Sequence, residues 1–70
     1  MIIKYVYNDE IICTQYNSVD AFLKDCYRDE FKDKLFDAKD VIVLENDGTQ
    51  CSYGGLLDVY QKYKKFIVTN

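Results

Sequence analysis

Twice along this chain, apolar residues that alternate in steps of two give way to apolar residues spaced by three and four. Steps of two send successive side chains to opposite faces of a strand, whereas steps of three and four gather them on one stripe of a helix. No single regular element satisfies both periods. The sequence therefore predicts a strand hairpin followed by a helix, and then the same again.

Ile2 to Tyr7 opens the first unit, with Ile3, Tyr5 and Tyr7 on one face and Ile2, Lys4 and Val6 on the other. These residues are β-branched or aromatic, the types that suit a pleated surface. Asn8-Asp9-Glu10 supplies turn residues, and Ile11 to Tyr16 resumes the strand pattern. No glycine marks this turn, so the register stays open by one residue. Asn17-Ser18 then offers a helix cap, with Asp20 in the first turn where the helix dipole favours a carboxylate. Val19, Phe22, Leu23, Cys26, Tyr27, Phe31 and Leu35 predict one helix running to Phe36 or Asp37.

The second unit begins with Val41-Ile42-Val43-Leu44 and turns at Asn46-Asp47-Gly48-Thr49. Asp-Gly in a two-residue loop is a strong hairpin signal, because both central positions need positive φ. That loop pairs Leu44 with Cys51 and Ile42 with Tyr53, on one apolar face, with Val43 opposite Ser52 and Glu45 opposite Gln50. Gly54-Gly55 ends the strand. Leu56, Val59, Tyr60, Tyr63 and Phe66 then recur at three and four and predict a helix from about Gly55 to Lys65, with Lys62, Lys64 and Lys65 at its C-terminal end. Phe66-Ile67-Val68-Thr69 either extends that helix or forms a short fifth strand. The expected fold is α+β, ββαββα: an antiparallel four-stranded sheet of two hairpins with two helices packed on it. The 70 residues make a single small domain.

A chain this short devotes most of its large apolar residues to folding, which leaves no room for a large enclosed cofactor cavity or a long lid. The residue inventory narrows the chemistry further. There is no histidine, so the usual general base, metal ligand and near-neutral proton switch are missing. Three cysteines (Cys13, Cys26, Cys51) are an odd number without Cys-x-x-Cys spacing, the pattern of reduced, buried thiols in a cytosolic protein. Spacing gives no zinc site, and Glu45-Asn46-Asp47-Gly48 lacks the ligand ladder of a calcium loop. Gly54-Gly55 is followed by no phosphate-loop pattern. The expectation is a non-enzyme that uses neither metal nor cofactor.

No apolar run reaches the length needed to cross a bilayer, and Met1-Ile2-Ile3-Lys4-Tyr5 lacks the basic region and cleavage site of a signal peptide. A net charge of −3 with one short lysine cluster argues against direct nucleic-acid binding. Cytoplasmic location and no membrane association are expected. Ile, Lys, Asn and Tyr far outnumber Ala, Gly, Pro and Arg, the mark of an AT-rich gene. Size, acidity and codon bias are of the sort found in small phage or mobile-element proteins that bind and inhibit host machinery, although no motif carries a family resemblance.

Two features suit a partner surface. Asp25, Asp29, Asp33 and Asp37 stand four apart on the first predicted helix, beside Lys24, Arg28 and Lys32. The row reads as a solvated, salt-laced face, with Asp20–Lys24, Asp25–Arg28, Asp29–Lys32 and Glu30–Lys34 at pairing distance. It also reads as carboxylates that imitate a nucleic-acid backbone and occupy a basic groove on another protein. Tyrosine is the compositional oddity, seven in all, and Tyr5 and Tyr7 alternate with Ile3 on a strand face expected to be partly exposed. The functional expectation is a non-catalytic protein-interaction module, a regulator or inhibitor that meets a protein partner through these tyrosines and carboxylates. The alternative is a self-associating protein that forms a homodimer through an edge strand or its aromatic face.

Overall fold

A computed structural model describes residues 1–64 of the chain. Strand β1 (Ile2–Tyr7) pairs antiparallel with β2 (Glu10–Gln15) and with β3 (Lys39–Leu44), and β4 (Gln50–Tyr53) pairs antiparallel with β3. The resulting four-stranded sheet has the order β2-β1-β3-β4. Helices α1 (Val19–Cys26) and α2 (Lys32–Asp37) lie between β2 and β3 in the chain, and α3 (Leu56–Lys64) follows β4. This is the expected α+β plan of two hairpins, each followed by helix. Lys65 and the alternative for residues 66–69 lie outside the described residues.

The first hairpin turns on two residues. Asn8 and Asp9 have φ of 52° and 63°, so both central positions are left-handed and Tyr7 pairs directly with Glu10. Short polar side chains tolerate that region, and this turn type matches the natural twist of the strands it joins. Glu10 thus belongs to β2 rather than to the turn.

The second hairpin corrects the sequence-based register by one residue. Val43 pairs with Cys51, Val41 with Tyr53 and Ile42 with Ser52, around a three-residue loop, Asn46 to Gly48. Only Gly48 takes a positive φ, 92°, and its N–H donates to the Glu45 carbonyl at 3.0 Å. Asp47 stays out of the left-handed region, and its carboxylate accepts the Thr49 N–H at 2.9 Å. A slip of one residue moves every side chain to the other face. Here it sends Val41 and Val43, rather than Ile42 and Leu44, into the core beside Ile3.

The first helix is also corrected: it is broken. Ser18 caps α1, its Oγ accepting the Ala21 N–H at 3.2 Å. After Cys26 the backbone turns at Tyr27, and Arg28 is extended (φ −80°, ψ 138°). A single 3-10 turn, Asp29–Phe31, then leads into α2. Each helical residue advances about 100°, so one straight helix would place Phe31 about 180° from Phe22. Both rings are in the core, packed edge to face with centroids 6.5 Å apart. Steps of four drift around a helix, and the break restores the lost angle.

Ile3, Tyr5, Phe22, Val41, Val43, Leu56 and Val59 form the centre of one core between the sheet and the helices. Full burial of such side chains contributes ~1.5–3 kcal/mol each. Helix α3 packs on both α1 and α2, and it is tied to β4 by Lys62, whose Nζ donates to the Tyr53 hydroxyl at 2.9 Å. The opposite sheet face carries a shallow groove of about 220 Å³ lined by Ile2, Lys4, Cys13, Ile42, Leu44 and Gln50.

Candidate functional site

The break between α1 and α2 opens a polar cleft of about 220 Å³ at the β2 side of the molecule, lined by Tyr5, Thr14, Tyr16, Asp25, Arg28, Glu30, Phe31 and Lys34. Alternation along β2 supplies Thr14 on the helix-facing side, and Tyr16 follows in the same phase. Tyr16 donates its hydroxyl to Asp25 Oδ2 at 2.8 Å. Arg28 reaches Asp25 Oδ1 at 3.4 Å, and its guanidinium meets Glu30 Oε1 at 2.7 Å. The chain of contacts thus runs from phenol to carboxylate to guanidinium to carboxylate.

Burial pushes the Tyr16 phenol well up, and the hydrogen bond to Asp25 pushes it further. Burial also raises Tyr5, opposed by a hydrogen bond with Thr14 and helped by the charge of Asp25. Cys26, behind the cleft, is pushed up to about 12 by burial and then by Asp25. All three groups stay protonated near neutral pH. Tyr16 donates a hydrogen bond and Tyr5 and Cys26 pack in the core; none of them serves as a base or thiolate nucleophile. The cleft is equipped to recognise a polar or charged group. Among the described residues, no cluster of His, Cys, Asp or Glu is placed to hold a metal ion. No helix among them is long and apolar enough to cross a membrane.

The helix break also disperses the acidic row. Asp25 is half-buried at the end of α1 and committed to Tyr16 and Arg28. Asp29 sits in the 3-10 turn, almost fully exposed, 3.3 Å from Lys32. Asp33 and Asp37 are exposed on α2. The four carboxylates do not share one helix. Of the expected ion pairs, Asp20–Lys24, Asp25–Arg28 and Asp29–Lys32 form, while Glu30 takes Arg28 where the spacing predicted Lys34.

The tyrosines are also placed differently. Tyr5 is 2% exposed and belongs to the core, and Tyr7 is half-buried against it. Tyr27 is 70% exposed, standing where α1 ends. Its hydroxyl accepts from Tyr60 at 3.0 Å, and the two rings meet edge to face at 6.0 Å. Lys64 Nζ lies 5.4 Å from the Tyr60 ring centre. Phe36 on α2 is exposed as well. Reading one unbroken helix assigns Tyr27 to the middle of the buried stripe, and no signal in the sequence singles it out. Comparison with protein families, with curated proteins and with solved structures finds no match.

Proposed function

We propose that this chain is a small non-catalytic protein-interaction module of the cytoplasm, a regulator or inhibitor of a host protein, encoded by a phage or mobile element. The observation that carries the reading is the Tyr27–Tyr60 pair on the helical layer, Tyr27 exposed and Tyr60 half-buried, with Asp29 two residues from Tyr27 in the chain. Large aromatic side chains with a polar tip carry much of the energy of protein interfaces. Asp29, in the turn after Tyr27, and Asp33 on α2 add exposed carboxylates to the helical layer, which favours a partner with a basic patch. Three free cysteines support a reducing compartment.

The test is affinity capture from host lysate, followed by binding measurements on the captured protein. Tyr27→Ala is expected to weaken binding by roughly thirtyfold, the size of a hot-spot loss. The pair Asp29→Lys and Asp33→Lys is expected to weaken binding and to flatten its salt dependence. Affinity unchanged by all three substitutions would refute this surface as the binding site.

A further inference from the structure

We infer that two copies of this chain join through the free edge of β2, antiparallel about a two-fold axis at Cys13, so that Glu10 of each copy enters the polar cleft of the other. This surface is distinct from the Tyr27–Tyr60 surface, and the inference goes beyond the reading above.

The geometry of the edge comes from the first hairpin. Tyr16 N–H donates to the Met1 carbonyl at 2.7 Å, and the Met1 amino group donates back to the Tyr16 carbonyl at 3.0 Å. Bonded and non-bonded pairs alternate along an antiparallel ladder. With Met1 and Tyr16 bonded, Ile3–Thr14, Tyr5–Ile12 and Tyr7–Glu10 are the other bonded pairs, while Ile2–Gln15, Lys4–Cys13 and Val6–Ile11 are not. Ile11, Cys13 and Gln15 therefore aim their N–H and C=O groups away from β1. Among the described residues β2 is the outer strand of the sheet, and no strand of them takes up those groups.

Free edges are commonly blunted by proline, by a bulge or by charge. β2 has none of these along its outward groups. Its register with β1 is regular from end to end, and its one charged residue, Glu10, stands at its start. The other edge, β4, is shorter, four residues against six, and turns directly into Gly54-Gly55 and α3.

The occupant follows from phase and charge. Directly opposed residues of antiparallel strands must share a face, and a two-fold axis at Cys13 satisfies this. It pairs Ile11 with Gln15, Ile12 with Thr14 and Cys13 with itself, and it engages all three outward-facing residues of each strand. Roughly six inter-chain hydrogen bonds result, two per bonded pair. In the same register Glu10 of the second copy falls opposite Tyr16, on the cleft side. Glu10 has no cation partner among the described residues, and neither has Lys34 a carboxylate. Lys34 lines the cleft together with Tyr16. The dimer brings the two unpaired charges together, twice by symmetry.

The test uses the full chain in analytical ultracentrifugation and under a mild thiol oxidant. The expected result is a concentration-dependent dimer that cross-links through Cys13, with Cys13→Ser abolishing the cross-link but not the dimer. Opposed strand residues lie within disulfide reach, whereas an axis shifted to Ile12 separates the two Cys13 residues beyond it. Cys13→Pro removes an outward N–H that β1 does not use, so it is expected to leave a folded monomer. Glu10→Lys is expected to raise the dimer dissociation constant about tenfold, and Glu10→Lys with Lys34→Glu to restore it. Should Cys13→Pro lose its circular dichroism, the charge swap decides. A monomer at every concentration overturns the inference, as does a dimer indifferent to Cys13→Pro, to the charge swap or to oxidation.

Discussion

The two halves of the molecule run the same ββα programme and diverge at both places where local signals and packing compete. In the first half the turn is two residues, Asn8 and Asp9, without glycine, and the helix breaks. In the second half the turn is three residues ending at Gly48, and α3 is continuous. The stronger turn motif gave the longer loop. Asp-Gly specifies a hairpin, and the side chains on either side choose its register. What differs is which apolar residues must reach the core: Val41 and Val43 in one half, Phe22 and Phe31 in the other.

The largest effect that can sharpen this comparison lies at Phe22. It is fully buried and held edge-on by Tyr16 at 5.5 Å and by Phe31 at 6.5 Å, so it joins β2 to both sides of the helix break. Phe22→Ala is expected to cost ~3–5 kcal/mol in urea unfolding. A domain of this size has ~4–10 kcal/mol in hand, so that loss takes the chain close to unfolding. Leu56→Ala, the corresponding buried start of α3, is expected to cost ~2–4 kcal/mol. A larger loss at Leu56 would show that the second half organises the core.

Alkaline pH separates the halves next. Tyr5, Tyr16 and Cys26 in the first half, and Tyr63 in the second, are all held above their ordinary values, chiefly by burial. A raised folded pKa means the neutral form is favoured in the native state. That stability is complete below the unfolded values, near 9 for the thiol and 10 for the phenols, and is lost as pH rises towards the folded ones. Each such group removes up to ~1.4 kcal/mol per pH unit in that window. Unfolding midpoints are expected to hold steady to about pH 9 and then fall. Native Cys26 is expected to resist alkylation at neutral pH while exposed Cys13 reacts. Equal labelling of the two would mean that the first half opens readily.

Much of this was legible in the sequence, and the failures share one cause. The strand faces of β1, the Ser18 cap, the existence of both hairpins and the start of α3 follow from local period and local hydrogen bonding. The helix break does not. Steps of four from Leu23 through Tyr27 and Phe31 to Leu35 look like a stripe, yet they drift about 40° per step. Only the demand that Phe31 meet Phe22 exposes the drift. Of the cleft, only the Asp25–Arg28 pair is legible in the spacing. Its closing groups, Glu30 and Lys34, arrive through the break, and Tyr27 is exposed by it. A strand face beginning Ile3, Tyr5 was read as a partner surface when it was the core, since alternation reveals two faces without telling which one the helices cover.

A smaller effect tests the turns themselves. Gly48 has φ of 92° with open space where a Cβ would stand, so Gly48→Ala carries backbone strain alone. The expected cost is ~1–2 kcal/mol. Asn8→Gly relieves a non-glycine residue from the left-handed region and is expected to change stability by less than ~1 kcal/mol. If Gly48→Ala proved neutral, the loop would have to rearrange so that residue 48 leaves the left-handed region.

The least of these effects is also the most specific to the observed loop. The Thr49 backbone N–H donates to Asp47, which holds that carboxyl below its ordinary 3.8. A depressed folded pKa contributes stability above the unfolded value, and that contribution disappears as pH falls through the folded one. A small decline in melting temperature below about pH 4 is therefore assigned to the loop. Asp47→Asn keeps an acceptor for Thr49 but cannot titrate, so it is expected to retain the turn and remove that part of the decline. The two-residue loop needs Asp47 in the left-handed region, where the observed bond to Thr49 has no role. Acid behaviour unchanged by Asp47→Asn would therefore count against the register that buries Val41 and Val43.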